Sequence, residues 1–259
     1  MTHRRIDVRT DEGTIDVHLH TPPGEGAWPL VFLYMDAFGI RPALMSMADR
    51  LAAAGYAVAV PNLYYRHGAY PPFDPHAVAA EGPEKVRFRS MIASLDHEMV
   101  MRDTRAVLAA LDGATAVRPG AAAALGYCMG GGFALSAAGT FSDRFVLAAS
   151  FHGGSLATDR PDSPHRLAAQ IRGFVHVGAA EIDPTFDSAQ AQRLRDAFDA
   201  AGVRYSFEVH QGAKHGFAVT NHLAYDRAAS ERHWTVLTDL LRTHLAASSA
   251  SPAVAADAD

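Results

Sequence analysis

The stretch Leu125-Gly126-Tyr127-Cys128-Met129-Gly130-Gly131-Gly132 constrains this chain more than any other. Five small or apolar residues, Ala121 to Leu125, run into it in the pattern of a buried strand. Gly130 to Ala138, rich in small residues, reads as the start of a helix. A Gly-x-nucleophile-x-Gly run between strand and helix is a nucleophile elbow, here with cysteine in the place usually held by serine. The glycines are required because a side chain at either flanking position collides with the neighbouring strand and helix. Such a turn also aims the sulfur over the first turn of a helix, whose free N–H groups and dipole favour a thiolate and a developing oxyanion. Glycine-rich strand-to-helix turns also bind phosphates, but Gly126-x-Cys128 breaks GxGxxG and no Lys-Ser/Thr ending follows. A buried structural cysteine is the bland alternative.

The frame around the elbow is that of an α/β chain. Ile6 to Arg9 and Thr14 to His20 alternate polar and apolar about Asp11-Glu12-Gly13, which predicts an opening hairpin. Pro29 to Met35 is a continuous apolar run suited to a strand buried on both faces. Arg41 to Ala54 reads as a helix stopped by Gly55, and Tyr56 to Val60 as the next strand. A loop rich in Pro, Gly and Tyr follows. Glu84 to Leu111 keeps helical apolar spacing, as one long helix or two. Further strands are predicted at Phe145 to Ser150, Ile171 to Val177 and Val203 to Val209, with a helix from about Asp187 to Ala201. Trp234, Leu237, Leu241 and Leu245 stripe a final helix. Strands alternating with helices imply a mostly parallel, doubly wound sheet of about eight strands. With no repeat and no linker, residues 1 to 245 read as a single domain. The Ala/Ser/Pro/Val/Asp tail from 246 to 259 has too little apolar surface to order itself.

Composition removes whole classes of function. A net charge of -5 over 259 residues gives no electrostatic footprint for nucleic acid or an anionic membrane. No apolar run approaches the length of a bilayer span, and Met1 to Arg5 leads into Ile6-Asp7-Val8 rather than an apolar signal region. A single cysteine makes no internal disulfide, so a cytoplasmic setting is expected and the thiol is free for chemistry.

In this fold class the active groups gather in loops at the carboxyl ends of strands. Those loops supply a nucleophile, an acid and a histidine in order: Cys128, then Glu181 and Asp183, then His215. That is the chain order of α/β-hydrolase triads. The imidazole takes the thiol proton, while the carboxylate fixes its tautomer and stabilises the imidazolium. Asp183 before Pro184 also suits a turn or helix cap, and Glu181 competes with it as the acid. His152 follows a strand and is expected to line the pocket. His18 and His20 share one strand face, but no third metal ligand is evident.

At this point the residues resemble a family. The elbow Gly126 to Gly131, the run Asp36-Ala37-Phe38-Gly39-Ile40, the piece Pro61 to Arg66 and Gly212-Ala213-Lys214-His215-Gly216-Phe217-Ala218 are similar to those of dienelactone hydrolases, over about residues 10 to 245. The resemblance implies a single-domain α/β-hydrolase with a Cys128-His215-Asp183 triad and an oxyanion hole from the N–H groups of Ala37 and Met129. It implies no metal or organic cofactor. The family's acidic residue that holds and ionises the cysteine is usually glutamate; here it is Asp36, one methylene shorter. Of the two arginines that grip the carboxylate of the family's lactone, Arg66 matches the first and Val219 stands where the second belongs. Tyr65, Phe38, His152 and Phe217 are expected to complete the substrate pocket.

The expected activity is hydrolysis of a small ester or lactone through a Cys128 thioester, by a monomer or homodimer with no nucleic-acid or membrane partner. The alternatives are a catalytically silent ligand-binding or redox-sensing module, and an acyltransferase.

Overall fold

Leu30 to Tyr34 and Ala122 to Leu125 are fully buried, every residue of them, which a strand achieves only when both sheet faces are covered. In the computed structural model, which describes residues 1–245, these runs are the two central strands of one eight-stranded sheet. The strands are β1 (Thr2–Thr10), β2 (Gly13–Thr21), β3 (Trp28–Tyr34), β4 (Ala57–Pro61), β5 (Val117–Tyr127), β6 (Phe145–Phe151), β7 (Phe174–Ile182) and β8 (Tyr205–Lys214). Their order is β1-β2-β4-β3-β5-β6-β7-β8. The β1–β2 hairpin is antiparallel and β2 pairs antiparallel with β4; from β4 to β8 all neighbours are parallel. The mostly parallel, doubly wound sheet expected from the sequence is therefore the fold observed.

The helices are α1 (Pro42–Ala53), α2 (Pro75–Ala79), α3 (Pro83–Ala93), α4 (His97–Asp112), α5 (Met129–Thr140), α6 (Ser188–Ala201) and α7 (Arg227–His244). Helix α5 lies on β3, β5 and β6 with α4 beside it. Helix α1 lies on β2 and β4 and α7 on β6, and Arg50 of α1 both stacks on Trp234 and pairs with Glu231 of α7. The segment from Glu84 to Leu111 resolves into two helices. Asp96 breaks it, because its carboxylate accepts from the Met99 N–H and so caps the start of α4. Helix α2 was not anticipated; Asp74 caps it within the Pro- and Tyr-rich loop. The expectation of an unordered tail from 246 to 259 lies outside the described residues.

Strand register is what positions the chemistry. Tyr34 of β3 pairs with Gly126 of β5, so the loop leaving β3 lies beside the elbow. Tyr127 pairs with Phe151, and Ile182 of β7 with Lys214 of β8, one residue before Asp183 and His215. The strand ends deliver these loops side by side along one rim.

Candidate active site

Cys128 adopts φ 54° and ψ −122° between β5 and α5, a backbone region that costs a non-glycine residue on the order of 1–3 kcal/mol. The flanking glycines are what permit it. A Cβ on Gly126 would run into the backbone of Gly130, and one on Gly130 would come within 2.6 Å of the Tyr34 and Met35 carbonyl oxygens. So the elbow can close only with hydrogen at both positions, and the half-buried sulfur is left at the amino end of α5.

Opposite the sulfur, His215 Nε2 stands 3.0 Å from Cys128 Sγ, and His215 Nδ1 lies 2.7 Å from Asp183 Oδ2. The other carboxylate oxygen of Asp183 accepts from the Thr185 N–H at 2.9 Å and from its hydroxyl at 2.6 Å. The Asp-Pro-Thr turn therefore serves both readings of Asp183 at once: it shapes the turn with one oxygen and holds the imidazole with the other. Glu181 points elsewhere, accepting from the Gly212 N–H at 2.6 Å. Geometry selects Asp183 as the partner of His215.

The electrostatics of the trio follow from this packing. Burial alone would lower the pKa of His215, but its attraction to the sulfur and its hydrogen bonds to Asp183 and Cys128 raise it to about 10. The imidazole thus holds its proton at neutral pH between two anion-forming groups. Beside it, His152 is pushed well below the usual histidine value by burial first and by the charge of His215 second. The trio opens onto a cavity of about 630 Å³, lined among others by Ala37, Cys128, Met129, His215, Thr185, Phe133, Ile92 and Leu95. That size suits a small organic ligand.

A sequence profile described as the dienelactone hydrolase family matches residues 15–245. The chain belongs to the dienelactone hydrolase family. Among its relatives is a protein of Synechocystis sp., provisionally named carboxymethylenebutenolidase, 23% identical over 251 residues that cover 93% of this chain and 99% of the relative. A carboxymethylenebutenolidase of Pseudomonas sp. strain P51 is 31% identical over 129 residues, 49% of this chain and 50% of that one. Of solved structures, a dienelactone hydrolase-like promiscuous phosphotriesterase from metagenomic libraries superposes with a TM-score of 0.77 at 25% identity, covering 94% of this chain and 98% of that one. A dienelactone hydrolase from Anabaena variabilis superposes with a TM-score of 0.66 at 16% identity, over 94% and 98% of the two chains, a likeness of fold. As a member of the dienelactone hydrolase family, this chain is a hydrolase on an α/β-hydrolase fold.

Several residues expected at a dienelactone hydrolase site lie elsewhere. Arg66 does not line the cavity. Its guanidinium makes two 2.8 Å bonds to Asp103 of α4 and pairs with Glu12 of the β1–β2 turn. The cause is Asp103 itself: a carboxylate whose side chain is 2% exposed needs a cation, and Arg66 is the one supplied. Tyr65 goes with it, donating to Asp103 at 3.0 Å and meeting the Thr10 hydroxyl at 2.7 Å. Asp36 is also committed away from the thiol. Both its oxygens accept from Arg41, at 2.5 and 2.6 Å, and Oδ1 accepts from the Phe38 N–H as well. Phe38 packs on Phe88, His152 on His215, and Phe217 behind His152; all three are buried and none lines the cavity. His18 faces His3 and Asp16, while His20 pairs with Asp49, so both imidazoles belong to the outer hairpin.

The structure adds residues that the sequence did not single out. Arg41 joins Asp36, on the loop beside the elbow, to Asn221 in the segment after His215, with Nε donating to Asn221 Oδ1 at 3.1 Å. Thr185 stands 3.3 Å from His215 Nδ1. His97, Asp96, Arg160 and Asp162 also line the cavity. Only Asp-Pro-Thr carried a local signal, as an Asx turn; the others are brought in by tertiary packing.

Proposed function

We propose that this dienelactone hydrolase family member cleaves a small carboxylic ester or lactone through a thioester on Cys128. The observation that carries the reading is the unbroken line from Cys128 Sγ to His215 Nε2 to Asp183 Oδ2, at 3.0 and 2.7 Å, opening on one cavity. The thiolate is the attacking species, and His215, kept protonated, is the acid that the leaving group needs.

Cys128 Sγ bonds to the substrate carbonyl carbon and the carbonyl electrons move to oxygen. The N–H groups of Ala37 and Met129, whose residues border the cavity on the elbow side, are the donors assigned to that oxyanion. As the carbonyl re-forms, the ester C–O bond breaks and the leaving oxygen takes the proton from His215 Nε2. In a lactone that oxygen stays tethered to the acyl chain. Water then attacks the thioester, giving a proton to His215 as it does so, and the C–S bond breaks to release the carboxylic acid and restore the thiolate–imidazolium pair. Asp183 keeps Nδ1 protonated throughout. None of these steps calls on a cofactor.

Cys128→Ala is expected to lower turnover of activated esters by roughly a thousandfold or more with an unchanged melting profile. Mass spectrometry of the unmodified protein quenched during turnover should find one acyl group on Cys128. Retained activity in the alanine variant would remove cysteine from the mechanism, and acylation in a single stoichiometric burst without turnover would point instead to a silent binding module.

A further inference from the structure

The cavity is short of positive charge. Its ionisable lining outside the trio consists of Asp96, His97, Arg160 and Asp162. Burial lowers the pKa of His97, whose Nδ1 meets the Ser136 hydroxyl at 2.7 Å, so the ring is neutral at neutral pH. Arg160 is already engaged: Nε and Nη2 bond the two oxygens of Asp162 at 2.9 and 3.0 Å. That is one of the two edges with which a guanidinium grips a carboxylate. Asp96 adds a second carboxylate, which caps α4 with one oxygen and whose charge acts on the same Arg160. In the hydrolase reading the Cys128 thiolate and the His215 imidazolium cancel each other's charge. Two carboxylates thus share one guanidinium, and Arg66, the one arginine expected as a clamp, is spent on Asp103. The rest of the wall is largely uncharged, with Ile92, Leu95, Met129 and Phe133 on it.

We propose that this site selects esters uncharged in both their acyl and alcohol parts, and that Asp162 enforces the choice by occupying Arg160. The proposal deepens the hydrolase reading and rests on it for the identity of the bond cleaved. It separates this chain from carboxylate-gripping dienelactone hydrolases by charge rather than by shape. An anionic group entering here meets an excess of negative charge, and the Nε–Nη2 edge of the one guanidinium is already taken. Replacing Asp162 would release that edge.

The test is a binding measurement on Cys128→Ala/His215→Gln protein, which needs no turnover and carries no charge at either position. Dimethyl glutarate and its monomethyl acid, nearly equal in size and different in charge, are titrated by NMR at neutral pH. The diester should bind roughly threefold or more tighter than the anionic monoester. Adding Asp162→Asn should narrow that gap by roughly threefold, a modest change because Arg160 is largely exposed. A second reading needs no further variant. Raising salt to about 1 M should strengthen monoester binding by screening repulsion and leave the diester unmoved. Equal or tighter binding of the monoester, a gap unmoved by Asp162→Asn, or a monoester weakened by salt would each overturn the proposal. Because the ligands are never turned over, a failure of the Cys128 mechanism leaves these outcomes standing, and the reverse holds too.

Discussion

The proton between Cys128 and His215 is the most exposed claim at the scale of single residues. Burial pulls the imidazole below its ordinary value, while the sulfur and Asp183 lift it to about 10. Removing the sulfur leaves burial and Asp183 in opposition. In Cys128→Ala, the His215 titration followed by imidazole 15N NMR should therefore fall by about one pH unit or more. An unmoved midpoint would mean the sulfur and imidazole do not share the proton. Asp183→Asn tests the third member: with Nδ1 no longer facing an anion, kcat should drop by roughly three to four orders of magnitude. Glu181→Gln, which alters only a bond to the Gly212 backbone, should change kcat by less than about threefold. Cys128 and His215 were legible because each announces itself within a few residues, by an elbow or by a Gly-flanked strand-end loop. The placement of Arg66 is not legible, for the opposite reason. Its fate is decided by Asp103, 37 positions away on another element, and no local pattern carries that.

Between elements, the informative contact is the buried pair of Asp36 and Arg41. Their side chains are 3% and 2% exposed, so each depends on the other for its charge to be tolerable. Arg41 also reaches Asn221, and so ties the loop after β3, which carries Ala37, to the chain beyond β8, which carries His215. Arg41→Met should destabilise the fold by about 3–5 kcal/mol, read as a lower urea midpoint, because a buried carboxylate loses its partner. Asp36→Asn placed on top of it should recover part of that loss, since the orphaned charge is then gone. A double variant no better than the single one would mean that the tether to Asn221, and not the charge pair, carries the stability. Most element boundaries followed from apolar periodicity and from caps. Periodicity does not place the break between α3 and α4, because Leu95 continues the helical stripe across it, and only the Asp96 cap decides the matter. The three-residue delay at the start of β7 has a packing cause: a Cβ on Gly173 would press within 2.5 Å of the Phe145 carbonyl, so the chain there serves close approach before pairing begins.

At the scale of the whole molecule, the buried histidines behind the trio set the acid limit of the fold. Burial lowers His176 to about 4 and His233 to about 3, and His152 lies well below its ordinary value from burial and then from the charge of His215. Neither ring nitrogen of His152 has a hydrogen-bonding partner, nor does Nε2 of His176, so the folded protein offers a proton there little reward. All three are neutral when folded and bind protons near pH 6.5 when unfolded. Their contribution is therefore complete above pH 6.5 and is lost as pH falls below it, levelling only beneath the folded values. His176 and His233 each cost about 2 kcal/mol of stability between pH 7 and pH 5. Chemical denaturation at pH 7 and pH 5 should show a steep loss, and His152→Asn, which tolerates the positive φ of 38° at that position and does not titrate, should make the pH 5 loss smaller. An equal pH slope in the variant would mean that His152 takes up its proton without unfolding the chain, which is possible only if the space between Tyr127, His215 and Phe217 opens to water.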